Sequence, residues 1–323
     1  SIGAAELIIT PPLGVSLSGY YYDRRADDIH DDLFVHALVL AEGEERAALV
    51  VLDLIEVKDD FTAPIRRDIA LRTGIPAGHI MLCCTHTHTA PATVHWDETN
   101  IHPDPAYLDV LGRRIADAVV LAAQRLRPAS AWFSQGQVTG ISFNRRYWMK
   151  DGSLRTNPPF QSPDIIRPAG PMDPELQICA FRDDLGNPLA VLTNFALHPD
   201  QVGGNAVSAD YEGVLARLLK NRLGAESVIL CSNGCAGDIN HFDMSRPGPQ
   251  YGFNHAQHSG ETLAAEAIRC LGSSDPLSAA SLRAESLRVD VPLRLPGPEE
   301  VEWAKSYVGK ELREFTREGL NIV

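Results

Sequence analysis

The densest run of residues able to do chemistry is Thr85-His86-Thr87-His88-Thr89-Ala90-Pro91, directly after the apolar stretch Ile80–Cys84. In an extended strand, residues i and i+2 share a face, so His86 and His88 can aim at one centre. Neutral imidazole is a ligand for zinc and other first-row divalent ions, and such a pair begins a metal site. The plainer reading is two surface histidines at a strand end. His198 closes a second apolar run, 189–197, and precedes Pro199. It reads either as a structural histidine at the end of a buried strand or as a third ligand. Asn233-Gly234-Cys235-Ala236-Gly237-Asp238-Ile239-Asn240-His241 follows another apolar run. Its small residues let the backbone approach a ligand closely, and Asp238, Asn240 and His241 offer an acid, an amide and an imidazole. Without a ligand it is a polar turn. Asn144-Arg145-Arg146 could clamp a carboxylate or carbonyl oxygen with a fork of donors, or be exposed arginines. His95, His255 and His258 also fall in expected loops, as substrate-side or supporting groups.

An HxH pair alone names no enzyme. The metallo-β-lactamase pattern wants an Asp two positions after the second His, where this chain has Ala90. An amidohydrolase barrel would need an eightfold βα repeat, which two hairpins interrupt.

Those hairpins come from apolar runs at 33–41 and 47–54, joined by Glu42-Gly43-Glu44-Glu45-Arg46, and at 176–181 and 189–198, joined across Asp183–Asn187. Helical spacing covers 60–73, closed by Gly74, then 107–126, 211–223 and 260–271. Short strands are expected at 80–84, 131–138 and 227–231, with Gly-, Pro- and Asn-rich loops over 140–174 and 232–258. A strand over 281–291 and a charged helix over 299–318 complete the reading, without any internal repeat. The expected fold is α/β: a mixed sheet core with helices on both faces, ligands sitting where apolar strands end. One catalytic domain is expected, with a core over 1–272 and the start of a C-terminal segment over 273–323.

Composition narrows the class. The 323 residues are 44% hydrophobic and 22% charged, which is globular rather than disordered. A net charge of -13, with no basic run, argues against a nucleic-acid partner. No stretch reaches the roughly 18 apolar residues that cross a bilayer. Six cysteines, two of them the adjacent Cys83 and Cys84, make no disulfide framework and favour a reducing, cytoplasmic setting. A start at Ser1 rather than Met leaves room for a removed leader and a secreted or periplasmic protein.

Taken in order, the motifs resemble the neutral/alkaline (non-lysosomal) ceramidase family. The opening Gly3-Ala4-Ala5, Ile9-Thr10-Pro11-Pro12 and Leu17-Ser18-Gly19-Tyr20 is similar to that family's start, as are Ile29-His30-Asp31-Asp32-Leu33 and Val51-Leu52-Asp53-Leu54. Residues 85–91 match its THTHSGP signature with Thr89-Ala90 for Ser-Gly. Asn144-Arg145 matches its NR loop, Phe195-Ala196-Leu197-His198-Pro199 its FAxHP element and Gly237-Asp238-Ile239-Asn240 its GDVS loop. The resemblance implies a zinc-dependent hydrolase of a C–N amide bond. It implies Zn²⁺ on His86 and His198, His88 hydrogen-bonding the oxyanion, and Arg145 beside the attacking group.

Two departures shape the expectation. Asn240 stands where the family has its nucleophilic Ser, and a carboxamide cannot replace an activated hydroxyl. Attack is therefore assigned to water, whose pKa a metal lowers to about 7, with Asn240 orienting water or carbonyl and Asp238 beside it. The family draws its remaining ligands, a Glu in an LPGE-like turn and a Tyr, from further along, and Leu295-Pro296-Gly297-Pro298-Glu299 opens a charged helix instead. A C-terminal segment beyond Val323, or else Asp238 or His241, is expected to complete the shell. With no exposed aromatic-aliphatic run for two alkyl chains, a small amide stands beside an N-acyl amide as substrate. An esterase or lactonase on the same centre, and an inactive relative that binds metal or ligand without turnover, are the alternatives.

Overall fold

Strands that read as unbroken apolar runs need cover on both faces, and the fold supplies it as four layers. The computed structural model describes residues 1–96, 99–277 and 281–306. The first sheet holds β1 (Ile2–Ile8), β2 (Phe34–Glu42), β3 (Glu45–Leu52) and β4 (Ile80–Cys84), side by side in chain order. The first three pair antiparallel, and β4 joins β3 in parallel after helix α1 (Asp59–Thr73). Helix α2 (Pro105–Gln124) follows. The second sheet repeats this plan: β5 (Ala129–Gln137), β6 (Glu175–Asp183) and β7 (Pro188–Phe195) pair antiparallel. After helix α3 (Asp210–Leu223), β8 (Val228–Asn233) adds to β7 in parallel, and helix α4 (Phe253–Leu271) closes the half.

Period-two alternation then divides each strand between two interiors. Val35, Ala37, Val39, Ala48, Val50 and Leu52 pack with Ile65, Ile69, Leu111 and Ile115 of α1 and α2. Leu176, Ile178, Val191 and Ile229 pack with Leu215, Leu219 and Leu263 of α3 and α4. The residues between them, Leu38 and Val51 on one sheet and Phe181, Ala190 and Leu230 on the other, form a third cluster that joins the sheets back to back.

The expected mixed β core covered by helices is thus present, as two stacked sheets rather than one. Both hairpins, α1 and β4 lie where expected, and Gly74 ends α1 with φ 75 and its N–H on Ala70 O. Four expectations change. β7 stops at Phe195, so His198 lies in the following loop and not at the strand end. The loop expected to reach 258 ends at Gly252; α4 begins at Phe253, which puts His255 and His258 on a helix. Gly260 sits inside that helix because a Cβ there would meet Val214 Cβ at 2.5 Å. The 140–174 stretch contains a small sheet of Arg146–Met149, Leu154–Thr156 and Ile165–Pro168.

The chain divides into two compact units, Ser1–Ala284 and Glu285–Val323. The strand expected over 281–291 is absent: those residues have no regular structure, and Leu287, Val289 and Val291 are exposed. Alternation makes a strand only where a sheet edge is there to pair with it. In the second unit α5 (Pro298–Lys305) is capped by Glu300, which accepts from Gly297 N at 2.8 Å. The rest of the expected 299–318 helix, from 307 on, lies outside the described residues.

The inter-sheet cluster should carry much of the stability. Leu38→Ala, at a side chain 1% exposed, should lower the unfolding free energy by about 3 kcal/mol, read from the urea midpoint at unchanged slope.

Candidate metal centre

β4 ends at Cys84, so the HxH pair lies just beyond the strand rather than on it. Thr85 N and His86 N still donate to Leu52 O and Leu54 O, both at 2.9 Å, and prolong the pairing with the chain leaving β3. His86 then takes φ 76, a left-handed conformation uncommon for a side-chain-bearing residue and costing on the order of 1–3 kcal/mol. The threonines between the histidines do the anchoring. Thr87 and Thr89, both fully buried, donate through Oγ1 to Ser208 O at 2.8 and 3.0 Å. His88 N donates to Pro199 O at 3.1 Å, which ties the loop to the segment carrying His198. Asp210 steadies that segment by accepting from Gln201 N (2.9 Å) and Val202 N (3.0 Å). Gly19 closes the other side: a Cβ there would lie 2.8 Å from His88 Cβ, and its φ is +110.

One ring nitrogen from each of His86, His88 and His198 lies within 4.8 Å of the others, the sole such group of three among the described residues. His86 Nδ1 faces Ile55 O at 2.9 Å, and His198 Nδ1 faces Ala236 O at 3.1 Å. A carbonyl only accepts, so both Nδ1 atoms carry the proton and both Nε2 atoms present lone pairs. His198 Nε2 stands 3.0 Å from His88 Nε2. With a proton on His88 Nδ1, two lone pairs would face each other, an arrangement that a cation relieves. The all-imidazole donor set suits a first-row divalent ion. Burial first, then the neighbouring His86 and Arg24, lowers the pKa of His88 to about 3. Burial and His88 lower that of His198 to about 4. Both rings are therefore neutral near pH 7, as ligation requires.

The second group of expected site residues is brought alongside by backbone pairing. Phe143–Asn144 runs antiparallel to Ile239–Asn240. Asn144 Nδ2 donates to Asp238 Oδ2 at 2.8 Å, Arg145 N to Asp238 O at 2.7 Å, and Arg145 Nη2 to Gly237 O at 2.5 Å. Asp238 thus anchors the Asn-Arg loop. The Arg145 guanidinium acts electrostatically on His88, His198 and Asp200. Asn240 is buried; its Nδ2 donates to Asn157 Oδ1 at 2.7 Å and its Oδ1 accepts from Phe242 N at 3.0 Å. One N–H and one lone pair remain. His241 lies beside His255, ring centres 5.2 Å apart and planes tilted by 53°, outside the group of three. His95 pairs with His102 (Nδ1 to Nδ1, 2.9 Å).

Three contributors went unread in the sequence. Asp200 Oδ1 lies 3.6 Å from His88 Nδ1 and accepts from Tyr20 OH at 2.9 Å. Arg24, 4% exposed, donates to His88 O, Ser18 O and Gly204 O, each at 2.6 Å, with its Cζ 3.9 Å from the Tyr20 ring centre. The available signals were the spacing of Asp200 two residues after His198, and Tyr20 within the opening motif.

Residues 1–270 match the family model for the N-terminal region of neutral/alkaline non-lysosomal ceramidases. The chain belongs to this family. The likeness to Neutral ceramidase 2 of Arabidopsis thaliana is 25% identity over 231 residues, covering 68% of this chain and 30% of that relative. The neutral ceramidase of Pseudomonas aeruginosa superposes with a TM-score of 0.70 at 20% identity, covering 84% of this chain and 44% of the other. A structure of a ceramidase complexed with C2 gives a TM-score of 0.68 at 19% identity, covering 84% and 43%. The chain therefore spans less than half the length of these ceramidase relatives, and its fold is theirs over the shared part.

The depressed histidines make a signed prediction for metal-stripped protein. Between about pH 4 and 6.5 the unfolded chain binds protons that His88 and His198 refuse in the fold, so their contribution to stability rises with pH and is lost on acidification. Urea melts of His88→Gln and parent should show the variant's relative stability improving steadily as pH falls from 6.5 towards 4.

Proposed function

We propose that the chain carries the catalytic centre of a metal-dependent hydrolase that cleaves the C–N bond of an N-acyl amide, with zinc held by His86 and His198. The observation that supports it most is the pair of imidazoles whose Nδ1 atoms are pinned to Ile55 O and Ala236 O, which makes the Nε2 lone pairs the donors a metal would take, that of His198 now meeting His88 Nε2 at 3.0 Å. When bound, zinc supplies a Lewis acid and acidifies water at neutral pH, which answers the Asn at the family's Ser position. His88 donates from Nε2 to the carbonyl oxygen as it gains charge. Asp200 lies beside its Nδ1 at 3.6 Å, and burial raises the Asp200 carboxyl above its usual range. Arg145 adds positive charge beside the same oxygen, and Asn240 uses its remaining N–H or lone pair to orient water or substrate. Tyr21 and Tyr22, about half exposed beside Tyr20, give an apolar rim for an acyl group.

A second reading follows from the 3.0 Å between His88 Nε2 and His198 Nε2: three imidazoles as ligands, with His88 protonated on Nδ1 towards Asp200. An ester or lactone substrate fits either version of the centre.

Elemental analysis separates them. About one zinc per chain should be retained in His88→Ala and lost in His86→Ala and His198→Ala; loss in all three supports the three-ligand reading. In the zinc-loaded protein, His88→Ala should lower kcat for a short N-acyl amide by about 10²–10³-fold, while Asn240→Ser remains a hydrolase. Full activity in His86→Ala would sink the proposal.

A further inference from the structure

Arg24 lies between the motifs that carry the family resemblance and belongs to none of them. It is nevertheless 4% exposed and committed to the imidazole cluster. Its Nη2 donates to Ser18 O and His88 O and its Nη1 to Gly204 O, each at 2.6 Å. The guanidinium thus meets carbonyl oxygens and the Tyr20 ring, while Asp200 acts on it only electrostatically. Burying a cation without a close carboxylate is costly, and apolar side chains would join the same loops at less cost. The charge and the fixed fork of donors therefore call for a role besides packing.

The groups that Arg24 gathers are those that confine the His88 ring. His88 O fixes the backbone that carries it. Ser18 precedes Gly19, which lies so close to the ring that a Cβ there would fall 2.8 Å from His88 Cγ. Gly204 closes the loop that follows His198 and Asp200. The Tyr20 ring centre lies 3.9 Å from Arg24 Cζ, and the Tyr20 hydroxyl donates to Asp200 Oδ1 at 2.9 Å. Asp200 Oδ1 in turn stands 3.6 Å from His88 Nδ1. Backbone, ring wall and Nδ1 neighbour are all tied to one guanidinium.

We propose that Arg24 is the positioning residue of the centre, holding the His88 ring in one orientation and one tautomer. It does so through His88 O, through the Ser18–Gly19 wall, and through Tyr20 and Asp200. An imidazole that must present Nε2 to a metal or a carbonyl oxygen needs such a hold, because a displacement of about 1 Å can cost on the order of 10²-fold in rate. Lysine cannot substitute: a single ammonium lacks the planar fork that spans three carbonyls. The consequence for turnover rests on the hydrolase reading, whereas the hold on the ring does not.

Long-range ¹H–¹⁵N NMR of the metal-free full chain at neutral pH tests the hold, with His88→Gln assigning the ring signals. The parent should show two well-separated His88 nitrogen shifts, the mark of a single tautomer. Arg24→Lys and Arg24→Gln should draw both shifts towards a common averaged value, and Tyr20→Phe should do so part-way. In zinc-loaded protein the Arg24 variants should lower kcat for a short N-acyl amide at least tenfold, with KM changed less than twofold and zinc content kept. Averaged shifts in the parent, or unchanged His88 shifts in folded Arg24 variants of lowered Tm, would overturn the proposal and leave Arg24 a purely structural residue. Should neither Arg24 variant fold, unchanged shifts in Tyr20→Phe would overturn it equally. Averaged shifts in the variants beside a parent without turnover would remove the hydrolase reading and uphold the positioning role.

Discussion

The back-to-back contact of the two sheets is the constraint from which the rest follows. Leu38 and Val51 meet Ala190 and Leu230 in an interior that no helix reaches, so the central strands β2, β3, β7 and β8 are buried on both faces. That contact puts the C-terminal ends of β3, β4, β7 and β8 on one side. Asp53, the His86–His88 loop, the His198–Asp200 segment and the Gly237–Asn240 loop all leave from those ends. A centre built from two halves needs the halves in fixed register, and a close-packed apolar interface provides it because a shift of one residue would expose every alternate side chain.

On that frame the centre is held by hydrogen bonds that cross between the halves. Thr87 and Thr89 reach Ser208 O, His88 N reaches Pro199 O, and Tyr20 reaches Asp200. Each is worth on the order of 1 kcal/mol net, but a buried carbonyl left unmet costs more, so the set is hard to loosen one bond at a time. This over-determination is what lets His86 keep a left-handed backbone and lets Gly19 sit against the His88 ring.

Much of this was legible in the sequence and some of it could not be. Hairpins stood out because double-sided burial writes continuous apolar runs, and β4 because all five of its residues are apolar. The same runs hide what covers them: nothing in Leu38 or Leu230 says whether a helix or a sheet lies opposite. The duplicated strand-strand-strand-helix-strand-helix plan left no repeat in residue type, since packing fixes only apolar character at period two. β1 was read as a motif and not as a strand, because Gly3-Ala4-Ala5 has low β-propensity; close approach to α2 demands those small residues, a Cβ on Gly3 falling 2.0 Å from Ala122 O. The first turns of α4 were hidden by Asn254, His255, Ser259 and Gly260 for a similar reason. The meeting of His86 and His88 was anticipated from strand geometry, yet a turn beyond the strand brings it about.

The electrostatics of the centre complete the argument. Three imidazoles share a small volume, and Arg24 and Arg145 both bear on His88. Protonating any ring there would add a cation to a place already short of counter-charge, where Asp200 is the nearest carboxylate and burial keeps it from ionising readily. Burial, helped by the neighbouring rings and Arg145, keeps His88 and His198 neutral, and the same positive surroundings favour negative charge arriving from outside. Imidazoles with flanking guanidiniums thus make a setting that stabilises arriving negative charge, as the proposed hydrolysis requires, and the Nε2 atoms of His86 and His198 are the lone pairs it offers a metal.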